Sequence, residues 1–180
     1  MEKHYIRSED LIQDSFRLAW QVYEDGYRPN YIIGVWRGGA PIGIAVQEFF
    51  SVLGVPSDHI AIRTSHYKGI DNRGTEVQVY GLNYIIKQVE SDDSLLIVDD
   101  VYRSGRHTRA VVQQLKKGLR RNMPSEVRVA ALWKHAKSDS SDLDYYLHET
   151  DRWVVLPYEL NGLTQQEIAD HKPKLVNLFT

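Results

Sequence analysis

Residues 95–108, LLIVDDVYRSGRHT, place four aliphatic residues directly before two acids, a turn with Gly105 and a helical pattern. A short apolar run that ends at polar residues is typical of a buried strand. The helical pattern covers residues 106–121 and has Ala110, Val111, Leu115 and Leu119 along one side. This stretch therefore predicts a buried strand over residues 94–98, a tight turn and an amphipathic helix.

The same order of strand, turn and helix occurs upstream. Residues 31–35 form a second β-type run, WRGGAP follows it, and Pro41 and Gly54 suit the first turn and the end of a helix. Such units predict an α/β fold in which helices connect the strands of a parallel, Rossmann-like sheet. Ligands of such sheets bind at the carboxyl ends of the strands, where both turns lie.

Weaker patterns supply the remaining predicted elements. Residues 8–23 have helical spacing, and Glu9 and Asp10 suit the positive end of that helix. Residues 65–75, SHYKGIDNRGT, are polar and contain glycine, which predicts a long mobile loop. Four further ranges are predicted as strands: 59–63, 76–80, 127–133 and 145–147.

The composition limits the class of protein. A chain of 180 residues with 42% hydrophobic residues suits one domain with a real core. The formal charge of −2 argues against a general nucleic-acid coat, which needs a basic excess. Cysteine is absent, the charged start MEKHYIRSED is not a secretory signal, and no apolar run approaches the ~20 residues of a membrane helix. We therefore expect a cytoplasmic protein.

The turn RSGRHT has the features of an anion site. A glycine turn that opens a helix can direct several backbone N–H groups, and the positive end of the helix dipole, at one point. Ser104 and Thr108 add hydroxyl donors, while Arg106 and His107 add positive charge. An ordinary strand-to-helix turn with a polar cap would also fit, so the turn alone does not decide.

The acid pair Asp99 and Asp100 favours a ligand. Two adjacent acids at the end of an apolar strand repel each other and lose solvation, which requires compensation. The vicinal hydroxyls of ribose can supply it, and so can a hydrated Mg²⁺ ion, which prefers carboxylates and water. Acids beside an anion site predict one ligand that carries both sugar hydroxyls and a phosphate.

WRGGAP is the second candidate site. Gly38 and Gly39 allow the backbone to approach a ligand closely, and Arg37 offers a forked donor for phosphate oxygens. The pattern GxxxxGK[ST] of nucleoside triphosphatases is absent, as are HExxH, GxSxG and EF-hand spacings. A nucleoside triphosphatase is therefore not expected.

Four matches along the chain, the last made of two segments, resemble the type I phosphoribosyltransferases. LLIVDDVYRSGRHT is similar to the family's phosphoribosyl diphosphate motif, and GVWRGGAP is similar to its pyrophosphate loop. SHYKGIDNRGT lies where the family has its flexible catalytic loop. ALWKHAK and ETDRWVVLPYE resemble the base-specific end of the 6-oxopurine branch, which uses hypoxanthine, guanine and xanthine. The four matches occur in the expected order over residues 30–160.

The resemblance implies which residues would bind phosphoribosyl diphosphate. Asp99 and Asp100 would hold its ribose hydroxyls and, with Glu159, a Mg²⁺ cofactor. The peptide Trp36–Arg37 would be a non-proline cis bond. The remaining ligand contacts would come from Arg37, Gly38, Gly39, Ser65, Tyr67, Ser104, Gly105, Arg106, His107 and Thr108.

The resemblance also implies a base site and an assembly. Lys134 would donate to the 6-oxo group of a purine, Trp153 would stack on the ring, and the Val154 backbone would meet the base edge. The implied fold is one phosphoribosyltransferase-type domain over residues 1–180. Its core would cover 30–135, and a small hood formed by terminal segments would use 136–165 with the N-terminal segment. A homo-oligomer, dimer or tetramer, is implied as well.

Position 103 departs from the family pattern. Purine-specific relatives place an aspartate there to manage a ring proton, whereas this chain has Arg103, which cannot be a general base because its pKa exceeds ~12. His107 replaces a customary threonine. The same motif without that aspartate resembles the pyrimidine operon attenuator, a nucleotide-sensing RNA-binding regulator, and KKGLRR at 116–121 is a small basic patch. The negative overall charge favours the enzyme.

Overall fold

The computed structural model describes the backbone of residues 2–68 and 75–178, and all their side chains except 66–68, 75, 76 and 177. The strands are β1 (Lys3–Tyr5), β2 (Tyr31–Trp36), β3 (Asp58–Lys68), β4 (Thr75–Tyr80), β5 (Ser94–Tyr102), β6 (Glu126–His135), β7 (Tyr145–Thr150) and β8 (Trp153–Val155). The α-helices are α1 (Ser8–Glu24), α2 (Gly39–Val52), α3 (Asn83–Gln88), α4 (Arg106–Leu119) and α5 (Gln165–His171). Short 3₁₀ helices cover Arg120–Asn122 and Pro173–Leu178.

A six-stranded sheet in the order β4-β3-β2-β5-β6-β7 forms the centre of the fold. Only β4 runs antiparallel to its neighbour, and the other pairs are parallel. This confirms the predicted α/β fold with a parallel sheet, except that the edge strand β4 is antiparallel. The carboxyl ends of β2, β3, β5 and β6 consequently meet at one edge, as the strand–turn–helix pattern predicts.

Helices cover both faces of the sheet because its central strands are apolar on both sides. On one face Ile33 and Ile97 belong to a buried cluster with Ile85 of α3 and Leu115 of α4. On the other face Gly34 of β2 approaches α2 so closely that a Cβ atom there would lie 2.8 Å from the Gly39 carbonyl oxygen. Helix α1 packs beside α2, where the rings of Phe16 and Phe49 are 5.7 Å apart.

The chain divides into two compact units, Ile12–Asp151 and a terminal unit formed by Met1–Leu11 with Arg152–Thr180. The sheet lies in the first unit. In the terminal unit, β1 and β8 pair in parallel, and the Lys3 ammonium lies 2.6 Å from the Glu167 carboxylate. The prediction of one domain with a base-binding hood stays a prediction.

Several predicted boundaries were wrong. The predicted strand 94–98 continues to Tyr102, and the strand predicted at 59–63 extends from Asp58 to Lys68, so the first part of the expected loop 65–75 is strand. Residues 69–74 of that loop lie outside the described residues. In the part of the chain that the structure describes, no helix is both long and apolar enough to cross a membrane.

Candidate active site

Two turns converge on the acid pair at the carboxyl edge of the sheet. A Cβ atom on Gly38 would lie 2.1 Å from both Cγ and Oδ2 of Asp100. A Cβ atom on Gly39 would lie 2.1 Å from the carbonyl oxygen of Val98, immediately before the acids. WRGGAP therefore contacts strand β5 directly, and only glycine fits at these two positions. The peptide Trp36–Arg37 before them is cis, as the family resemblance implies.

The carboxylates of Asp99 and Asp100 are held by the backbone around them. Asp99 accepts a hydrogen bond from the Asp100 amide at 3.0 Å, and Asp100 accepts one from the Val101 amide at 2.8 Å. Both residues are partly buried within β5. Burial, and then the negative charge of Asp100, raise the pKa of Asp99 well above its ordinary value. A cation or a set of hydroxyl donors would relieve this repulsion.

The turn after β5 is built around Gly105, which has a positive φ of 64°. A Cβ atom there would lie 2.2 Å from the Tyr102 hydroxyl oxygen and 2.6 Å from Nη1 of Arg109. The Gly105 carbonyl accepts the first helical hydrogen bond, from the Arg109 amide at 2.9 Å. The turn thus ends at the amino end of α4, where amides are available for an anion.

Two side chains of helix α4 donate hydrogen bonds to backbone carbonyls of the same turn. The buried Thr108 hydroxyl donates to the Gly105 carbonyl at 3.0 Å, so this hydroxyl holds the turn itself. The Arg109 guanidinium donates to the Ser104 carbonyl and to the Asp142 carboxylate, the latter at 2.9 Å. The residues Arg103, Ser104 and Arg106 of this turn are exposed.

His107 points across to the neighbouring strand. Its Nδ1 atom lies 2.7 Å from the Thr64 hydroxyl oxygen on β3. Thr64 directly follows Arg63, which pairs with Trp36 at the end of β2, so β3 continues past the sheet edge beside the turn. Ser65, next along β3, is partly buried, and the Tyr67 side chain lies outside the described residues.

Lys134 lies near the end of β6, where it pairs in register with Tyr102 of β5 and Glu149 of β7. Its side chain is mostly buried, and its Nζ atom is 2.9 Å from the Glu149 carboxylate and 4.9 Å from the centre of the Tyr146 ring. The hydrogen bond to Glu149 raises the pKa of Lys134. The ammonium is therefore charged and is held by side chains of β7.

Three predicted site residues belong to the terminal unit. Trp153 pairs with Lys3, and 47% of its surface is exposed, while Val154 beside it is buried. Glu159 accepts a hydrogen bond from the Leu156 amide at 3.1 Å. The stacking and metal roles predicted for Trp153 and Glu159 stay predictions.

The donor set fits a magnesium ion that shares its ligands with a substrate. Within residues 2–68 and 75–178, no group of three or more His, Asp or Glu side chains forms a metal site by itself. Magnesium is commonly held by one or two carboxylates together with water and substrate phosphates. Asp99 and Asp100 supply that number of carboxylates, with the glycine turn against them.

Sequence reasoning missed three residues that position this site: Thr64, Arg109 and Glu149. Thr64 contacts His107, Arg109 holds the Ser104 carbonyl, and Glu149 orients Lys134. Arg109 could have been found, because it lies four residues after Gly105 in the predicted helix. The other two depend on which strands are neighbours, and no local pattern carries that information.

The comparisons with known proteins agree with this geometry. A sequence profile of the phosphoribosyl transferase domain matches residues 4–161. Curated proteins give no match. Among solved structures, the purine phosphoribosyltransferase from Pyrococcus horikoshii is 27% identical with a TM-score of 0.72, and the match covers 92% of this chain and 99% of that one.

Two further solved structures share the fold at 18% identity. A hypothetical protein from Neisseria gonorrhoeae with bound ppGpp has a TM-score of 0.75 and matches over 99% of this chain and 98% of its own. The xanthine-guanine-hypoxanthine phosphoribosyltransferase from Helicobacter pylori has a TM-score of 0.71 over 89% and 96%. At this identity the likeness concerns the fold alone.

Proposed function

This chain belongs to the phosphoribosyltransferase family, and we propose that it transfers the 5-phosphoribosyl group from phosphoribosyl diphosphate to hypoxanthine or guanine. Xanthine is a third candidate base. The products would be the nucleoside monophosphate and pyrophosphate, so the role is purine salvage. The observation that carries this proposal is the close approach of Gly38 to Asp100, because it brings together the glycine turn and the acid pair that we assign to pyrophosphate and to ribose.

The residues would divide the ligand between them. Asp99 and Asp100 would accept hydrogen bonds from the two ribose hydroxyls, and the turn from Ser104 to Thr108 would hold the 5′-phosphate at the amino end of α4. Arg37 and the amides of the glycine turn would face the departing diphosphate. Bound Mg²⁺, held by the acid pair with Glu159 as a further candidate ligand, would supply a fixed positive charge against the diphosphate oxygens.

The reaction would replace the bond from the anomeric carbon to pyrophosphate by a bond to a purine ring nitrogen. Positive charge grows on the sugar ring and negative charge on the leaving group, so Arg37 and the loop amides would stabilise the transition state. The hairpin of β3 and β4, with Ser65 and Tyr67, would exclude water that could otherwise hydrolyse the sugar.

Lys134 would select the base. Its ammonium can donate a hydrogen bond to a 6-oxo group. The 6-amino group of adenine is itself a donor, so it could not accept that hydrogen bond. Trp153 would stack on the ring, and Val154 would offer backbone contacts to its edge. Arg103, in the usual place of an aspartate, would leave the ring proton to solvent or to another side chain.

A pyrophosphate-release assay with magnesium, phosphoribosyl diphosphate and each of four bases tests the proposal. We expect turnover with hypoxanthine and guanine and little turnover with adenine. The same assay tests whether xanthine is a substrate. The double variant Asp99→Asn/Asp100→Asn is the inactive control. Equal rates with adenine would reject the base assignment, and no transfer to any 6-oxopurine would reject the activity.

One observation favours a second function, the nucleotide-sensing RNA-binding regulator. Helix α4 and the segment after it expose four cations: Lys116, Lys117, Arg120 and Arg121. RNA binding that falls steeply with salt, in a chain without transfer activity, would support it. The cytoplasmic location and the homo-oligomeric state expected from the sequence stay predictions.

A further inference from the structure

A second cleft lies between the edge strand β4 and helix α4, and it adjoins residues 104–108, the proposed 5′-phosphate turn. Its volume is 570 Å³, and its walls include Gln78 and Tyr80 from the strand and Arg106, Gln113 and Lys117 from the helix. Small-molecule sites commonly have volumes of about 300–1,000 Å³. The acid pair, the glycine turn and Lys134 do not line this cleft, whereas Arg106 of the proposed 5′-phosphate turn does.

The charge around the cleft is unusual for this chain. The formal charge of the whole protein is −2, yet residues 101–125 contain seven Lys and Arg residues and no Asp or Glu. Arg106 and Lys117, from opposite ends of α4, both line the cleft. Arg109 lines it too, although Asp142 neutralises part of its charge. Three of the seven cations therefore line the cleft, where they can attract an anion.

The other walls suit an aromatic, hydrogen-bonding group. Tyr80 is 50% exposed, and its hydroxyl is hydrogen-bonded to Gln78, which fixes the ring at the wall of the cleft. The amides of Gln113 and Gln114 each offer both donors and an acceptor. An exposed tyrosine ring beside amide groups can stack on a base and contact its edge.

We propose that this cleft is a second binding site, and that its ligand is a nucleotide carrying two or more phosphates. Arg106 and Lys117 would bind the phosphates, and Tyr80 with the two glutamines would contact the base. A mononucleotide fits a cleft of this volume. A nucleic-acid strand needs an extended basic surface, and this protein is acidic overall.

Arg109 connects this cleft to the 5′-phosphate turn. The same guanidinium lines the cleft and donates to the Ser104 carbonyl. A phosphate in the cleft would compete for this guanidinium and weaken its hold on Ser104. We expect a bound nucleotide to raise the KM for phosphoribosyl diphosphate, and this part of the inference rests on the proposed function.

Calorimetry of the full chain with ATP tests the binding itself. ATP is the probe because the 6-amino group of adenine disfavours the base site beside Lys134. With magnesium and saturating phosphoribosyl diphosphate present, we expect one ATP to bind per chain. Lys117→Glu should weaken ATP binding about tenfold or more through the loss of a charged contact. Gln114→Ala should weaken it without any reversal of charge.

The matched control is Lys116→Glu, which makes the same charge change one residue away, in the wall of a different cavity. We expect it to bind ATP as the wild type does. Equal weakening by Lys116→Glu and Lys117→Glu, or loss of ATP binding when phosphoribosyl diphosphate is added, would overturn the proposal. Tighter binding of a single-stranded RNA than of ATP would also overturn the proposal, if Lys116→Glu, Lys117→Glu and Arg121→Glu weakened the RNA binding equally.

The double variant Asp99→Asn/Asp100→Asn separates the two proposals. It should lose phosphoribosyl diphosphate but still bind ATP, so a failure of the proposed function leaves the cleft testable. In the transferase assay, ATP should raise the KM for phosphoribosyl diphosphate in the wild type and not in Lys117→Glu. An unchanged KM in the wild type would reject the connection through Arg109.

Discussion

The Nδ1 atom of His107 lies 2.7 Å from the hydroxyl oxygen of Thr64, which joins the turn around Gly105 to strand β3, the antiparallel partner of β4. The threonine that relatives usually carry at position 107 has a shorter side chain than histidine. The imidazole therefore makes a contact between two parts of the site that the family pattern does not predict.

Thr64→Val should raise the KM for phosphoribosyl diphosphate about fivefold, because one hydrogen bond of about 1 kcal/mol is lost. Thr64→Ser keeps the hydroxyl and should behave as the wild type. Steady-state kinetics of Thr64→Val, His107→Ala and the double variant form a cycle. If the two effects simply add, the contact does not position the phosphate turn.

Gly38→Ala should reduce kcat/KM for phosphoribosyl diphosphate about a hundredfold, because displacement of a catalytic group by ~1 Å has that effect. The added Cβ atom would lie 2.1 Å from the Asp100 carboxylate, so one of the two must move. The control for a harmless change is Ser51→Ala, because Ser51 is exposed near the far end of α2, the helix that follows Gly38. Normal kinetics of Gly38→Ala would mean that Asp100 is not positioned by this turn.

Lys134→Ala should lower kcat/KM for hypoxanthine about 10- to 100-fold, which corresponds to the loss of one charged hydrogen bond. The rate with adenine should change little, so the ratio of the two rates is the measurement. Lys137→Ala, in the exposed turn after β6, is the matched control. Parallel losses with both bases would indicate a structural role for Lys134.

Arg103→Asp should raise kcat for hypoxanthine, because a carboxylate near the base could accept the ring proton that a guanidinium cannot. Arg103→Ala separates the removal of positive charge from the gain of a base, and we expect a smaller increase from it. A pH profile of kcat shows whether a new acidic group controls the rate. No increase from either variant would mean that the site works around Arg103.

The Asp25 carboxylate should stabilise the fold at neutral pH and lose this effect at acidic pH. Its pKa is lowered first by the hydrogen bond from the Tyr145 hydroxyl, at 2.7 Å, and then by Arg128. A carboxylate with a lowered folded-state pKa contributes stability above its unfolded value of ~4, and that stability is lost as the pH falls further.

Denaturant unfolding of wild type and Asp25→Asn at pH 7 and at pH 3 measures this contribution. The variant should be less stable at pH 7, and the difference should shrink at pH 3. In Tyr145→Phe, which lacks the donating hydroxyl, Asp25→Asn should have a smaller effect. A difference that is equal at both pH values would show that the carboxylate charge is not involved.

The local patterns predicted the helices around the site and the convergence of its two turns, because apolar spacing and glycine placement are local properties. They predicted the end of β5 too early, at Val98, because the apolar run stops before the two acids. Backbone pairing with β6 does not depend on side-chain polarity, and Asp99 still pairs with Ala131. Helix α3 has six residues, too few for a helical period to be recognised.

Contacts between distant segments were beyond local patterns. The pairing of Lys134 with Glu149 depends on the register of β6 and β7, and the contact of His107 with Thr64 depends on the order of strands in the sheet. Neither register nor strand order follows from the residues on one strand. The acid pair could be predicted because its chemistry is concentrated in adjacent residues.

The pairing of β1 with β8 has a consequence for the order in which the protein is made. Strand β1 is synthesised first, but its partner Trp153–Val155 leaves the ribosome only after the whole central sheet has been translated. Domains begin to fold during synthesis, so β2, β3 and β5 can pair while β1 still has no partner. A ribosome stalled before residue 153 would therefore display a nascent chain whose amino-terminal strand is exposed to proteases and chaperones.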